Sequence, residues 1–206
     1  MNLTFNGRAC VTLEDGKGRR IVMDPYRSGA LNGAIRHAPV ECTADIVTIS
    51  HYHVDHSHIG PGLVNAAGQR PTVVDSSCEA HGLTFEGRTT YHDCMLGAHM
   101  GLSTMFVVEL DGLRVAHLGD IGCPLCAADS QFLTGVDVLL WPVGGTYTLG
   151  PQQAQALLDI IKPQVAIPLH FENERCTLGM EPIEALGPAL RDGLTRPGRT
   201  TWDSSS

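Results

Sequence analysis

Met105-Phe-Val-Val-Glu-Leu-Asp-Gly112, followed by His117-Leu-Gly-Asp120, reads as an apolar strand, an Asp-Gly turn, a second apolar strand and a terminal carboxylate. The same grammar stands 96 residues earlier, without a gap, as Ala9-Cys-Val-Thr-Leu-Glu-Asp-Gly16 followed by Ile21-Val-Met-Asp24. Asp-Gly between two apolar runs is a strong hairpin signal. At an offset of 92, Ala44-Asp-Ile-Val-Thr-Ile49 matches Val136-Asp-Val-Leu-Leu-Trp141, and Arg70-Pro-Thr-Val-Val74 matches Lys162-Pro-Gln-Val-Ala166. Between the last pair, residues 59–68 face Gln152-Gln-Ala-Gln-Ala-Leu-Leu-Asp-Ile-Ile161, a run of helix formers stopped by Pro163. Each half therefore reads β-hairpin, strand, helix, strand. Chance is the alternative, since such patterns are common, but several landmarks with one change of offset favour duplication. Two copies predict an α/β protein: a four-layered αββα sandwich of two similar halves, its sheets packed face to face with helices outside.

Composition narrows the class. The chain has 206 residues, of which 43% are hydrophobic and only 17% charged. That supports one packed domain, read here as residues 1–190, with residues 191–206 a peripheral tail lacking periodicity. Gly (23) and Pro (12) are over-represented, pointing to short elements and many loops. A net charge of −8 argues against nucleic acid or an anionic membrane as a partner. No apolar run is long enough for a membrane span, and the N-terminus lacks the basic and apolar segments of a signal peptide. Seven cysteines, an odd count at irregular spacing, read as free thiols of a cytoplasmic protein. Cys123-Pro-Leu-Cys126 has redox spacing but no thioredoxin-like context, so it reads as a loop.

Histidine is the telling residue. Four of the ten fall in His51-Tyr-His-Val-Asp-His-Ser-His58, directly after the apolar strand Ile46–Ser50. On an extended backbone His51 and His53 point the same way. Asp55 and His56 follow, and Asp55 is also placed to cap a short helix. Imidazoles and one carboxylate at a strand end suit a borderline metal such as zinc or iron. The two halves differ here: Ser50-His51-Tyr52-His53 corresponds to Pro142-Val143-Gly144-Gly145.

The run His51, His53, Asp55, His56 resembles the His-x-His-x-Asp-His signature of the metallo-β-lactamase superfamily. Further landmarks follow in that family's order. His92 in Tyr91-His-Asp93 resembles the third metal histidine, Asp120 the bridging aspartate and His170 in Ile167-Pro-Leu-His170 the last histidine. The resemblance runs from about residue 3 to 172 and implies the same αββα fold. Residues 107–120 and Trp141-Pro-Val-Gly-Gly145 look like a compact branch of metal-dependent hydrolases, related more distantly to ascorbate 6-phosphate lactonases and N-acyl ethanolamine phospholipase D. Arg8, where such relatives often have His, and Cys123 depart from that pattern. Gly97-Ala-His99-Met-Gly101 imitates another superfamily phrase and makes His99 a rival to His92.

The resemblance implies two divalent ions, zinc first and manganese or iron next. His51, His53 and His92 would hold one ion, Asp55, His56 and His170 the other, and Asp120 would bridge. A metal-bound hydroxide would then cleave an ester, lactone or phosphodiester bond of a small-molecule substrate, with Asp55 or Asp120 as the acid/base group. A metal-binding regulatory domain and a di-iron redox protein are the competing readings. Among the other histidines, His117 is either a second layer behind the ligands or a packed core residue. His58 reads as a helix-surface residue, and His37 and His81 as surface or loop positions. Asp24, the duplicate of Asp120, reads first as the end of a strand.

Overall fold

A computed structural model describes residues 1–187 and 201–203. Strands β1 (Asn2–Gly7), β2 (Cys10–Glu14) and β3 (Arg20–Met23) form an antiparallel meander. One helical turn, α1 (Ala30–Gly33), and the short β4 (Cys42–Thr43) lead to β5 (Ile46–Thr48), and β6 (Leu63–Val64) precedes β7 (Thr72–Val74). The second meander is β8 (Cys78–Ala80), β9 (Leu83–Tyr91), β10 (Leu102–Leu110) and β11 (Leu113–His117). After it come α2 (Ala127–Phe132), β12 (Val138–Pro142), α3 (Pro151–Ile161), β13 (Val165–Leu169) and β14 (Thr201–Asp203).

The duplication is visible in topology. One six-stranded sheet has the order β14-β1-β2-β3-β5-β7 and the other β13-β12-β11-β10-β9-β8. In each, a hairpin (β2-β3 or β10-β11) passes into two parallel strands (β5, β7 or β12, β13). The hairpins turn differently, however. Leu110 pairs with Leu113, so Asp111 and Gly112 form a two-residue turn with φ of 52° and 78°, as a type I′ turn requires. Glu14 pairs with Arg20 instead, and the longer loop is held by the Asp15 carboxylate, which accepts the Lys17 and Arg19 amides.

Side-chain alternation assigns the layers. Val11, Leu13, Ile21 and Met23 meet Phe106, Val108, Leu110 and Leu140 between the sheets. Their alternates, Met105, Val107 and Leu139, face outward and are covered from α3 by Ala154 and Leu157. Cys10, Val22 and Val47 are also buried on the outer face of the first sheet. Strands apolar on both faces are those of a sheet covered on both sides.

The predicted helix at 152–161 is α3, which starts one residue earlier at Pro151 and ends where Lys162 turns left-handed before Pro163. Its counterpart at 59–68 is not helical. Gly60-Pro61-Gly62 opens that segment, and Asn65 closes a turn by accepting the Ala67 and Gln69 amides. The outer layer of the first sheet is therefore built from Tyr26, Ala30, Ile35 and Leu63 on loops and short elements. The sequence reading missed α2, a six-residue helix whose Asp129 carboxylate accepts the Cys126 amide. Part of the tail, β14, adds an antiparallel edge strand to β1, and the rest of 191–206 lies outside the described residues. Among the described residues, no helix is long and apolar enough to cross a membrane.

Candidate metal centre

The site forms where strands from both sheets end. His51, His53, Asp55 and His56 lie on the loop after β5, His92 directly after β9, Asp120 three residues past β11, and His170 directly after β13. The halves are tied together here by the Thr104 amide to the Ser50 carbonyl (2.8 Å), the His170 amide to the Arg8 carbonyl (3.0 Å) and His117 to the Ala9 carbonyl. His117 Nδ1 accepts the Gly119 amide, so Nε2 donates to Ala9 at 2.9 Å. It is a buried strut beside Asp120.

All seven residues predicted from sequence come together. The rings of His51 and His53 are 4.4 Å apart, and those of His51 and His92 are 4.7 Å apart. Asp120 Oδ2 stands 3.0 Å from His56 Nε2, 3.0 Å from His170 Nε2 and 3.4 Å from His92 Nε2. The donor atoms form three compact sets, His51/His53/His92, Asp55/His56/His170 and the overlapping Asp24/His51/His56, each with its atoms within 4.8 Å of one another. The rival His99 is exposed on the loop after His92.

Fit to a metal can be judged from the nitrogens themselves. Nε2 of His51, His56, His92 and His170, and Oδ1 of Asp120, are buried without an aligned hydrogen bond. The 3.0 Å approaches to Asp120 are close but misdirected, as when lone pairs converge on a common point. A buried polar atom left unpaired costs about 1–3 kcal/mol, so several together call for a cation. Imidazole and carboxylate donors without thiolate suit zinc, manganese or iron. The residues fit divalent ions.

Burial and charge tune these groups strongly. Burial pushes His51 down to about 3. Burial also opposes charge on His56, but Asp120 and Asp55 outweigh it and hold His56 well above the ordinary range. Burial would raise Asp120, yet His170 and His56 hold it well below the usual carboxylate range. For Asp55, too, burial is outweighed, first by His56 and then by Arg8.

Three supporting residues were not read as such from sequence. Asp24 is buried at φ 48°, an unfavourable value for a non-glycine residue. Its carboxylate accepts the Ser50 amide (2.8 Å) and hydroxyl (2.5 Å) and meets His56 Nδ1 at 2.9 Å. This fixes His56 with Nε2 turned toward Asp120. Ser50 Oγ also meets His51 Nδ1 at 2.9 Å. Duplication with Asp120 was the signal for Asp24. Arg8, the third, is buried against Asp55.

Other expectations need correction. His37 is buried beneath Gly7 and tilted against Tyr26 (5.7 Å), because loop 25–42 folds back to cover the first sheet. His58 lies in a non-helical segment. Cys123 donates to the Asp93 carbonyl, and every cysteine among the described residues is free.

The loop between His92 and β10 carries exposed Met95 and Leu96, and Tyr52, Tyr91 and Leu102 are also exposed. Asp93 organises it by accepting the amides of Met95, Gly97, His99 and Met100 at 2.7–3.0 Å. The Met100 amide foremost, then those of His99, Met95 and Gly97, lower the Asp93 pKa. A depressed carboxyl contributes order above its unfolded value of about 3.9 and loses it as pH falls through the folded value. Hydrogen exchange of residues 95–101 is expected to quicken about tenfold in Asp93→Ala, and in the parent only at strongly acidic pH. Unchanged protection in the variant would show that other contacts hold the loop.

Fold and site together define a metallohydrolase-type α/β sandwich. The family model described as the beta-lactamase superfamily domain matches residues 2–170, and the chain belongs to the metallo-β-lactamase superfamily. A UPF0173 metal-dependent hydrolase of Thermococcus kodakarensis is 29% identical over 196 residues, covering 83% of this chain and 84% of the relative. Another, of Opitutus terrae, is 29% identical and covers 97% and 99%. A crystal structure of a superfamily protein from Thermotoga maritima is 32% identical, with a TM-score of 0.69 over 89% of this chain and 82% of that one.

Proposed function

We propose that this protein is a zinc-dependent hydrolase that cleaves an ester, lactone or phosphodiester bond in a small molecule. The observation that carries this reading is the convergence of His56, His92 and His170 on one oxygen of Asp120, with the Nε2 atom of each otherwise unpartnered. His51, His53 and His92 would hold one ion, Asp55, His56 and His170 a second, and Asp120 would serve both. The curated relatives are metal-dependent hydrolases, and the Thermotoga maritima protein is described as a candidate Zn-dependent hydrolase. Bound there, divalent ions supply Lewis acidity toward a substrate oxygen and a lowered pKa for water.

The chain's own residues do the rest. Asp24 and Ser50 lock His56 and His51, so the donor nitrogens need no rearrangement. Asp120 Oδ1, which is buried without a hydrogen-bond partner, is the acceptor for the proton of the attacking water. Asp55, paired with Arg8, stays ionised and acts as a ligand and anionic wall.

The test is metal analysis of purified protein with a screen of lactones, carboxylic esters and phosphodiesters under zinc, manganese or iron. His92→Ala is expected to lower metal affinity by about 100-fold, as for loss of a buried polar partner, and His99→Ala by less than about twofold. Equal effects, or a metal-free protein that still hydrolyses substrate, would remove the assignment.

A further inference from the structure

Of the His51/His53/His92 and Asp55/His56/His170 donor sets, the second has Arg8 against one of its members, Asp55. Its side chain is only 3% exposed, and both Nε (2.7 Å) and Nη2 donate to Asp55 Oδ2. That oxygen faces the donor set, 3.5 Å from His56 Nε2. Nη1 meets soft partners, Cys176 Sγ at 3.6 Å and Met180 Sδ at 3.8 Å. The backbone pins the group in place: Arg8 has φ 55°, and its carbonyl accepts the amide of His170, itself a member of the same set. The other set is arranged differently. His51 meets the neutral Ser50 hydroxyl, and His53 is half-buried and open toward solvent.

We propose that Arg8 is a built-in cation of the Asp55/His56/His170 set, so that one divalent ion binds tightly at His51/His53/His92 and a second binds far more weakly. A guanidinium cannot deprotonate to make way for a metal. An ion entering beside it meets a fixed like charge in a poorly solvated site, and a ligand oxygen already carrying two N–H donors. Withdrawal of Arg8 would strand Asp55 and disturb the His170 amide bond. The inference rests on the reading of these histidines as metal ligands.

Titration of metal-free protein with Zn²⁺, followed by desalting and metal analysis, tests it without any substrate. The parent is expected to retain one equivalent, with the second bound at least about 100-fold more weakly, or ~2.7 kcal/mol. Arg8→Gln should retain two equivalents, whereas Arg8→Lys should fall between parent and Gln variant, since a buried ammonium, unlike a guanidinium, can lose its proton. Two equivalents of matched affinity in the parent, or an unchanged weak second event in Arg8→Gln, would overturn the proposal. Retention of no ion would instead overturn the metal-centre reading itself. Should Arg8→Gln fail to fold by circular dichroism, the ligand variants decide. His53→Ala is expected to lose the tight ion and His170→Ala to keep it; the reverse order sinks the proposal.

Discussion

Asp120→Asn is expected to lower both hydrolysis and metal retention by on the order of 10²–10³-fold. The carboxylate is buried, and one of its oxygens lies within 3.0–3.4 Å of three histidine nitrogens that follow three separate strands. An amide keeps the shape but removes the charge that offsets His56 and any bound cation. Removing one partner of a buried charged group costs ~3–5 kcal/mol, and each 1.4 kcal/mol is tenfold in an equilibrium. Metal analysis after desalting, with turnover of any substrate found by screening, measures both arms. Wild-type metal content in a folded Asn variant would show that Asp120 is not the shared residue.

Gly144→Ala is the second large effect, and it acts through the backbone alone. A Cβ at Gly144 would run into the His170 carbonyl oxygen and lie 3.2 Å from Met180 Cβ. Neither β12 nor β13 can yield easily, since Trp141 and Leu169 beside the contact are buried. Overpacking of this kind costs at least ~1–3 kcal/mol, which corresponds to roughly 2–12 °C in Tm for a domain of this size. Displacement of His170 should also weaken the Asp55/His56/His170 set. Gly187→Ala, where a Cβ meets nothing within 4 Å among the described residues, is the control and should leave Tm unchanged. An unshifted Tm for Gly144→Ala would mean that the two strand ends separate freely.

The sandwich was legible because each half repeats its hairpin and its pair of parallel strands in order, so one reading checked the other. The site was legible for a related reason. Its residues sit at strand ends, where alternation and a short motif fix direction, and the structure brings all seven into one cluster. The missing helix at 59–68 reflects a limit of duplication: overall order repeats, but Gly60, Pro61 and Asn65 impose turns that no alignment of halves predicts. Asp24 and Arg8 escaped because their roles exist only across the fold. The partner of Asp24 lies 32 positions away and that of Arg8 lies 47 away. Nothing local marks an arginine that will be buried against an aspartate, and hydropathy alone would place it outside. His37 was misplaced likewise, since its burial comes from a loop folding over a sheet.

The edge strand β14 has a consequence for the order in which the polypeptide matures. β1, the first described strand in chain order, has its outer hydrogen-bonding edge closed, among the described residues, by Asn2, Leu3 and Thr4 pairing with Asp203, Trp202 and Thr201. Every other described strand precedes β14 in the chain, so a nascent chain carries this open β edge until residues 201–203 emerge, a template for pairing with neighbours. A version ending before Thr201 is expected to sediment as higher oligomers while keeping its metal centre, and a monodisperse monomer would show that β1 needs no such cover. Three residues near one end of the sequence thus decide whether a strand near the other end can recruit a neighbour.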